Sequence, residues 1–177
     1  MPGPATFRPA GSGDTVRLGP GEYLTDKATS ENTGGGYTMF EVVSAEGSGV
    51  PLHEHPWAEA FYILAGEYEI RWVDDEEQVQ TVTATPGAFV HVPGGRLHAY
   101  RPLSPGFTCK MLSINQPVGL EPIARKAGLR VAGPGEPPQD EPLPMEEFSA
   151  VFRDGGIRVD PRYLETEGGV GAWRRDD

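Results

Sequence analysis

Apolar and polar residues alternate with a period of two through the middle of the chain, from residue 37 to residue 113. Successive side chains of a β-strand point to opposite faces, so this period is typical of strands that bury one face. Gly, Pro and Asp residues interrupt the alternation at short intervals and predict turns. The pattern predicts eight strands, at Tyr37–Ser44, Pro51–His55, Ala60–Leu64, Glu67–Val73, Val79–Thr83, Ala88–Val92, His98–Arg101 and Phe107–Ser113. Short strands at regular spacing indicate an all-β fold, either a sandwich or a closed barrel.

The segments on either side of this region have a different character. The first 36 residues are rich in Gly, Pro and polar residues and contain two short strand patterns, Thr15–Leu18 and Tyr23–Thr25. After residue 115, two amphipathic patterns predict helices; the first ends at Gly128, and the second follows Pro144 and ends at Gly155. We divide the chain into an N-terminal arm with edge strands (1–36), a barrel (37–115), a helical C-terminal extension (116–164) and a flexible tail (165–177).

Composition and charge exclude several classes of protein. The formal net charge is −11, from 15 basic and 26 acidic residues, and the largest basic cluster is Arg174–Arg175. Phosphate backbones and anionic membranes require a basic face, so we expect neither nucleic acid nor a membrane as partner. The one cysteine, Cys109, excludes an intrachain disulfide and a zinc site built from cysteines. The N-terminus lacks the apolar core of a secretion signal, so the expected location is the cytoplasm.

The candidate chemistry lies in the second and third predicted strands and at the start of the seventh. His53 and His55 are two residues apart and share one face of a strand, and Glu59 follows at an even spacing. His98 comes directly after a Pro-Gly-Gly turn that reverses the chain. Imidazole and carboxylate groups converging from neighbouring strands are typical of a transition-metal site. The sequence therefore predicts a metal site formed by His53, His55, Glu59 and His98.

The spacing around these four residues resembles the two signature motifs of the cupin superfamily. The first stretch has five residues between Gly47 and His53, then His55, Glu59 and Gly66; the second has Gly87, Pro93, Gly95 and His98. Twenty residues separate the two stretches, and Pro102 stands where the second motif usually has Asn. The resemblance implies a single-domain cupin with a jelly-roll barrel and a complete set of metal ligands. The region after the barrel resembles, more loosely, the tail of quercetin-dioxygenase-like cupins.

A set of further residues on the ligand-bearing faces predicts an apolar, partly aromatic cavity wall. Phe61 and Ile63 share a face with Glu59, Tyr100 shares one with His98, and Met111 lies in a row with Phe107 and Cys109. Ordinary core packing is the alternative for each of them. His91 is a further candidate, either as a pocket residue or as a hydrogen-bond partner of a metal ligand. A packing role is the alternative for it. The predicted substrate pocket consists of Phe61, Ile63, His91, Tyr100 and Met111.

Three imidazoles and one carboxylate leave two positions open on a six-coordinate divalent ion, which we expect to be Fe, Mn, Ni, Co, Cu or Zn. Our leading hypothesis is a dioxygenase-like oxidoreductase that binds a small enolic or phenolic substrate at the metal. The resemblance implies that Glu59 serves there as ligand and general base. The alternatives are a non-oxidative metal-dependent isomerase or decarboxylase, and a non-catalytic cupin that binds a small ligand. We also expect a homodimer, with the arm adding a strand to a neighbouring sheet.

Overall fold

The computed structural model describes residues 5–160. In this part of the chain there are twelve strands and two helices. The strands are β1 Thr15–Gly19, β2 Glu22–Ala28, β3 Thr38–Ser44, β4 Val50–Glu54, β5 Ala58–Ala65, β6 Tyr68–Val73, β7 Val79–Ala84, β8 Phe89–Val92, β9 His98–Pro102, β10 Cys109–Gln116, β11 Leu129–Val131 and β12 Arg158–Val159. The helices are α1 Leu120–Ala127 and α2 Met145–Asp154. All eight strands predicted for residues 37–113 are present, with ends that differ by a few residues at most.

The strands form two antiparallel sheets. The first has seven strands in the order β11-β1-β2-β3-β10-β5-β8, and the second has five in the order β12-β4-β9-β6-β7. The inner faces enclose one apolar core, whose largest fully buried side chains are Tyr68, Phe40, Phe61, Ile63, Ile70 and Met111. Alternate residues of each strand supply this core, as the period of two predicted. The all-β jelly-roll prediction is confirmed.

Strand register decides which side chains meet inside the barrel. His53 on β4 lies directly opposite His98 on β9. In the other sheet, Glu59 on β5 lies opposite Asn115 on β10. The two pairs face each other from different sheets, so the candidate site lies between the sheets at one end of the barrel.

Two parts of the fold differ from the expectation. The arm strands β1 and β2 lie inside the seven-stranded sheet and not at its edge, because β11 pairs with the free side of β1. Phe107 is 51% exposed and does not belong to the cavity wall. Its strand begins only at Cys109, so the inward alternation does not reach Phe107.

The extension contains both predicted helices and two short strands that the pattern did not predict. Strand β11 pairs with β1, and β12 pairs with β4, so the extension is joined to both sheets. Its helices contribute to a second apolar cluster of buried residues, formed by Trp57, Ile123, Ala127, Val151 and Ile157. Neither helix of the described region is long and apolar enough to cross a membrane. The predicted tail, 165–177, lies outside the described residues.

Candidate metal centre

The structure brings the four predicted ligand residues together. One donor atom from each of His53, His55, Glu59 and His98 lies within 4.8 Å of the other three, and all four residues are buried. Glu59 Oε2 is 3.1 Å from His55 Nε2 and 3.4 Å from His98 Nε2. The rings of His53 and His98 are 4.3 Å apart, between their centroids. The group is therefore compact enough to coordinate one ion.

Each histidine ring is oriented by a backbone carbonyl. Nδ1 of His53 lies 2.9 Å from the carbonyl of Pro51, and Nδ1 of His98 lies 2.8 Å from that of Arg96. Nδ1 of His55 makes the corresponding contact with the carbonyl of Trp57, at 2.8 Å. A carbonyl only accepts hydrogen bonds, so a neutral ring in this position carries its proton on Nδ1. Each ring then has its lone pair on Nε2, and His55 and His98 present it toward Glu59. This is the tautomer that a metal requires.

The positions of the ring protons indicate whether a cation fits the site. The Nε2 atoms of neutral His55 and His98 have no proton left to donate, yet both lie close to the carboxylate oxygen of Glu59. Lone pairs that face one another in a buried space need a positive charge at their centre, either a ring proton or a metal ion. The donor set of three imidazoles and one carboxylate suits a divalent transition metal. The residues present therefore fit such an ion.

Burial controls the ionisation of the group. It lowers the pKa of His53 to about 3, and the neighbouring His98 acts in the same direction. Burial by itself would raise the pKa of Glu59, but the close contacts of its carboxylate with the rings of His55 and His98 outweigh this effect and hold that pKa well below its usual range. At neutral pH the site thus combines a neutral His53 with an ionised Glu59. These are the protonation states in which such side chains bind metals.

Four of the five predicted pocket residues are buried in the barrel core. Phe61, Ile63 and Met111 are fully buried, and Tyr100 is almost so. The Phe61 ring lies between the metal group and Tyr100, with its centroid 6.4 Å from that of His98 and 5.5 Å from that of Tyr100. The aromatic ring of Phe61 therefore forms an apolar wall beside the candidate metal centre.

His91, the fifth predicted pocket residue, lies apart from the others. Its strand partner on β5 is Ala60, which belongs to the outer face of the sheet, whereas Phe61 points inward. The side chain of His91 is accordingly exposed on β8. It lines a cleft of about 630 Å³ between strands β7 and β8, whose lining also includes the core residues Ala84 and Val92.

Sequence reasoning missed two polar residues that contact the site. Ser113 donates a hydrogen bond to Glu59 Oε1 at 2.6 Å, and Asn115 donates one to Ser113 Oγ at 3.0 Å. A signal was present in the sequence, because both residues continue the inward row of β10 that contains Cys109 and Met111. Polar side chains at inward positions of a strand need buried hydrogen-bond partners.

A second buried polar cluster lies beyond Tyr100 in the barrel. The carboxyl of Glu22 accepts hydrogen bonds from Ser48 at 2.8 Å, from Ser44 at 3.1 Å and from the Tyr100 hydroxyl at 3.3 Å. Burial raises the pKa of Glu22 to about 7, although these hydrogen bonds oppose the shift. Sequence reasoning missed Glu22 because a charged residue in the arm is ordinarily assigned to the surface.

The fold and the site together define a small jelly-roll protein with a three-histidine, one-glutamate group. Residues 40–115 match the cupin domain family. Quercetin 2,3-dioxygenase of Bacillus subtilis (strain 168) is 33% identical over 119 residues, which cover 66% of this chain and 33% of that protein. This chain thus spans about a third of the length of that curated relative.

Solved structures of oxalate decarboxylase from Bacillus subtilis share the fold. The structure at pH 4.6 is 21% identical with a TM-score of 0.51, over 58% of this chain and 26% of that chain. A structure of the same enzyme studied for its Mn(II) centres is 19% identical with a TM-score of 0.52, over 59% of this chain and 27% of that chain. The chain belongs to the cupin superfamily. It is a cupin with a four-residue metal-binding group, and the predicted resemblance is confirmed.

Proposed function

We propose that this cupin is a dioxygenase-like oxidoreductase that acts on a small enolic or phenolic substrate. One divalent transition metal, Fe, Mn, Ni, Co, Cu or Zn, would be held by His53, His55, Glu59 and His98. The observation that carries the proposal is the convergence of one donor atom from each of three histidines and one glutamate in a buried site. The similarity of the chain to quercetin 2,3-dioxygenase over 119 residues supports the reaction class.

A divalent ion held by these four residues would supply Lewis-acid and redox chemistry. The side chains have separate tasks around it. The histidine rings are locked by backbone carbonyls and present Nε2, which limits reorganisation when substrate binds. Glu59 is the proposed general base, because it is the one carboxylate of the group and can accept a hydroxyl proton from an enol or phenol. The hydrogen bond from Ser113 to Oε1 leaves Oε2 on the side of the histidines.

The wall beside the site supports an apolar, unsaturated substrate. Phe61, Ile63 and Met111 are buried hydrocarbon or sulfur surfaces, and Tyr100 adds a second aromatic ring. Such a wall stabilises a planar ring by apolar contact and edge-to-face packing. A sugar would instead require several hydrogen-bonding groups in the same place.

One observation favours a second candidate, a non-oxidative isomerase or decarboxylase. Glu22 is a buried carboxyl group whose pKa of about 7 makes it able to give or accept a proton at neutral pH. It contacts Tyr100, a member of the predicted pocket. A reaction that needs a proton donor in the barrel would use such a group, without consuming oxygen.

Oxygen uptake separates these candidates. The purified protein is loaded with Fe, Mn, Ni, Co, Cu or Zn in turn and given flavonols, diketones and keto acids. The proposal expects oxygen consumption with at least one metal, and loss of this activity in a His53→Ala, His98→Ala double variant. Product formation without oxygen uptake would support the second candidate and contradict the first. Saturable ligand binding without turnover of any compound would instead identify a non-catalytic binding protein.

We also propose that the protein is a cytoplasmic homodimer. Strand β1 is hydrogen-bonded on both sides within the chain, so it has no free edge to add to a neighbouring sheet, and we propose the contact elsewhere. Tyr62, Leu64 and Phe89 are exposed apolar residues on the outer face of β5 and β8. The nearby Glu41 is paired with Lys110 at 3.3 Å and with Lys27 at 3.7 Å, so its negative charge is compensated although the chain carries a charge of −11. Two copies can therefore meet through this face without repulsion.

A further inference from the structure

Trp57 connects the metal group to the C-terminal extension. Its indole ring is 4% exposed and stacks on the ring of His55, with centroids 4.1 Å apart and planes at 5°. On the other side, Trp57 belongs to the apolar cluster that it forms with Ile123, Val151 and other residues of the extension. One side chain therefore packs against a candidate ligand and against the helices.

Trp57 also begins a directional hydrogen-bond chain. Its Nε1–H donates to Asn115 Oδ1 at 2.8 Å, the Asn115 amide donates to Ser113 Oγ at 3.0 Å, and Ser113 donates to Glu59 Oε1 at 2.6 Å. An indole can only donate, which fixes the orientation of the Asn115 amide. The amide then fills the acceptor side of the Ser113 hydroxyl, so the hydroxyl proton points to the carboxylate. We call Trp57, Asn115 and Ser113 the indole relay.

The extension holds the ligand strand at two further places. Val159 on β12 pairs with His53 on β4, and Gly156 packs against Pro56, directly after His55. The residue before α1 is Gly119, and a Cβ atom added there would overlap the indole ring of Trp57. Gly119 is therefore required for the close approach of the extension to Trp57.

We propose that the extension positions two of the four ligands, His55 and Glu59, through the indole relay, and so sets the metal affinity of the barrel. The inference rests on the proposed metal-binding function of the site. His55 is oriented by the stacked indole and by the carbonyl of Trp57, and Glu59 by the hydroxyl at the end of the relay. Groups that orient metal ligands in this way typically change metal affinity by about 10- to 100-fold when they are removed.

The test measures Co(II) affinity of the full chain by competition with a chelator, together with the visible absorption of bound Co(II), which reports its coordination. Gly119→Ala places a methyl group against Trp57 without touching a ligand. Gly133→Ala is its matched control, because a Cβ atom at Gly133 meets nothing within 4 Å. Ser113→Ala removes the last hydrogen bond of the relay, and Ser113→Thr restores a hydroxyl. Trp57→Phe retains an aromatic ring and removes the indole donor, together with the second ring of the indole.

We expect Gly119→Ala, Ser113→Ala and Trp57→Phe to weaken Co(II) binding by about 10- to 100-fold and to alter the absorption bands. Gly133→Ala and Ser113→Thr should bind Co(II) almost as the wild type does. Circular dichroism of the metal-free proteins identifies any variant that fails to fold. The Co(II) affinities of the variants that do fold then test the inference. If the wild type binds Co(II) and the folded variants bind it equally tightly, the inference is overturned and the proposed function stands. If the wild type binds none of the metals, both are overturned.

Discussion

His53 and His98 are direct cross-strand partners, and their ring centroids lie 4.3 Å apart in the interior of the barrel. Each ring is fixed at Nδ1 by a backbone carbonyl two residues away, and His98 Nε2 also lies 3.4 Å from Glu59 Oε2. Two neighbouring buried imidazoles cannot both be protonated without strong repulsion. The pair is therefore arranged to share a cation rather than to bind protons.

Removing one member of this pair should abolish tight metal binding. We expect His98→Ala to lower the affinity for Co(II) or Zn(II) by at least about 100-fold, because a first ligand contributes more than the groups that orient it. Metal content after dialysis and competition with a chelator measure the effect. His91→Ala is the control, since this histidine is exposed on the outer face of β8 and should leave metal binding unchanged. Equal metal content in the two variants would contradict the assignment of the site.

Glu22 should make folding stability depend on pH. Burial raises the pKa of Glu22 from 4.5 to about 7 in the folded protein, so between these values the folded state holds a proton that the unfolded state has lost. The stabilisation by protonated Glu22 is complete below the unfolded pKa and is lost as the pH rises through about 7. This difference in pKa between the folded and unfolded states corresponds to roughly 3 kcal/mol of unfolding free energy between pH 4.5 and 7.

Urea denaturation of Glu22→Gln at several pH values measures this contribution, because Gln stays neutral throughout. The variant should gain stability relative to the wild type as the pH rises from 4.5 to 8, by up to about 3 kcal/mol. Glu31→Gln, a change at an exposed position, should follow the wild type at every pH. A difference between Glu22→Gln and wild type that stays constant over this range would show that Glu22 does not hold the proton.

How much of the site was predictable depended on distance along the chain. His53, His55 and Glu59 lie within seven residues of the chain, so alternation and turn residues were enough to group them. His98 joined them through the resemblance of its spacing to a known motif. Trp57 and Asn115 are 58 residues apart and meet only because β5 and β10 pair in one register.

The fold, like the site, was predictable only where the sequence pattern is local. The barrel strands carry their own periodic pattern, and α1 ends at Gly128 as predicted. Strands β11 and β12 have three and two residues, which is too short for a period of two to be visible. Both exist because a barrel strand offers them a free edge, and that edge is a property of the assembled sheets. The sequence therefore predicts the barrel better than the attachment of the extension.

The exposed face of the seven-stranded sheet gives a test of the proposed homodimer. Phe89 is 62% exposed and lies in register with Tyr62, which in turn lies in register with Leu112. A charge placed in this apolar row would be buried without a partner in a dimer, so Phe89→Asp should yield a monomer. Light scattering after gel filtration measures the mass. Phe7→Asp replaces an 85% exposed phenylalanine in the arm and should leave the mass at that of the dimer. A wild type that is monomeric would refute the proposal.

Gly66 should be irreplaceable for stability, because it combines a left-handed backbone with a close approach to β10. Its φ is +69°, and an added Cβ atom would lie 2.7 Å from Cys109 Sγ and 2.9 Å from Cys109 Cα. Gly106 separates these two effects, since its φ is +63° and a Cβ atom there meets nothing within 4 Å. Backbone strain alone should cost Gly106→Ala about 1 kcal/mol of unfolding free energy.

Gly66→Ala should lose a further 1 to 3 kcal/mol or so, which is typical of overpacking against a buried backbone that cannot move away. Urea denaturation of the metal-free proteins compares the two variants without interference from ligand binding. Equal losses would mean that β10 shifts to accept the methyl group. In that case the packing of Gly66 against Cys109 would not explain the glycine, and its left-handed φ alone would be the reason for it.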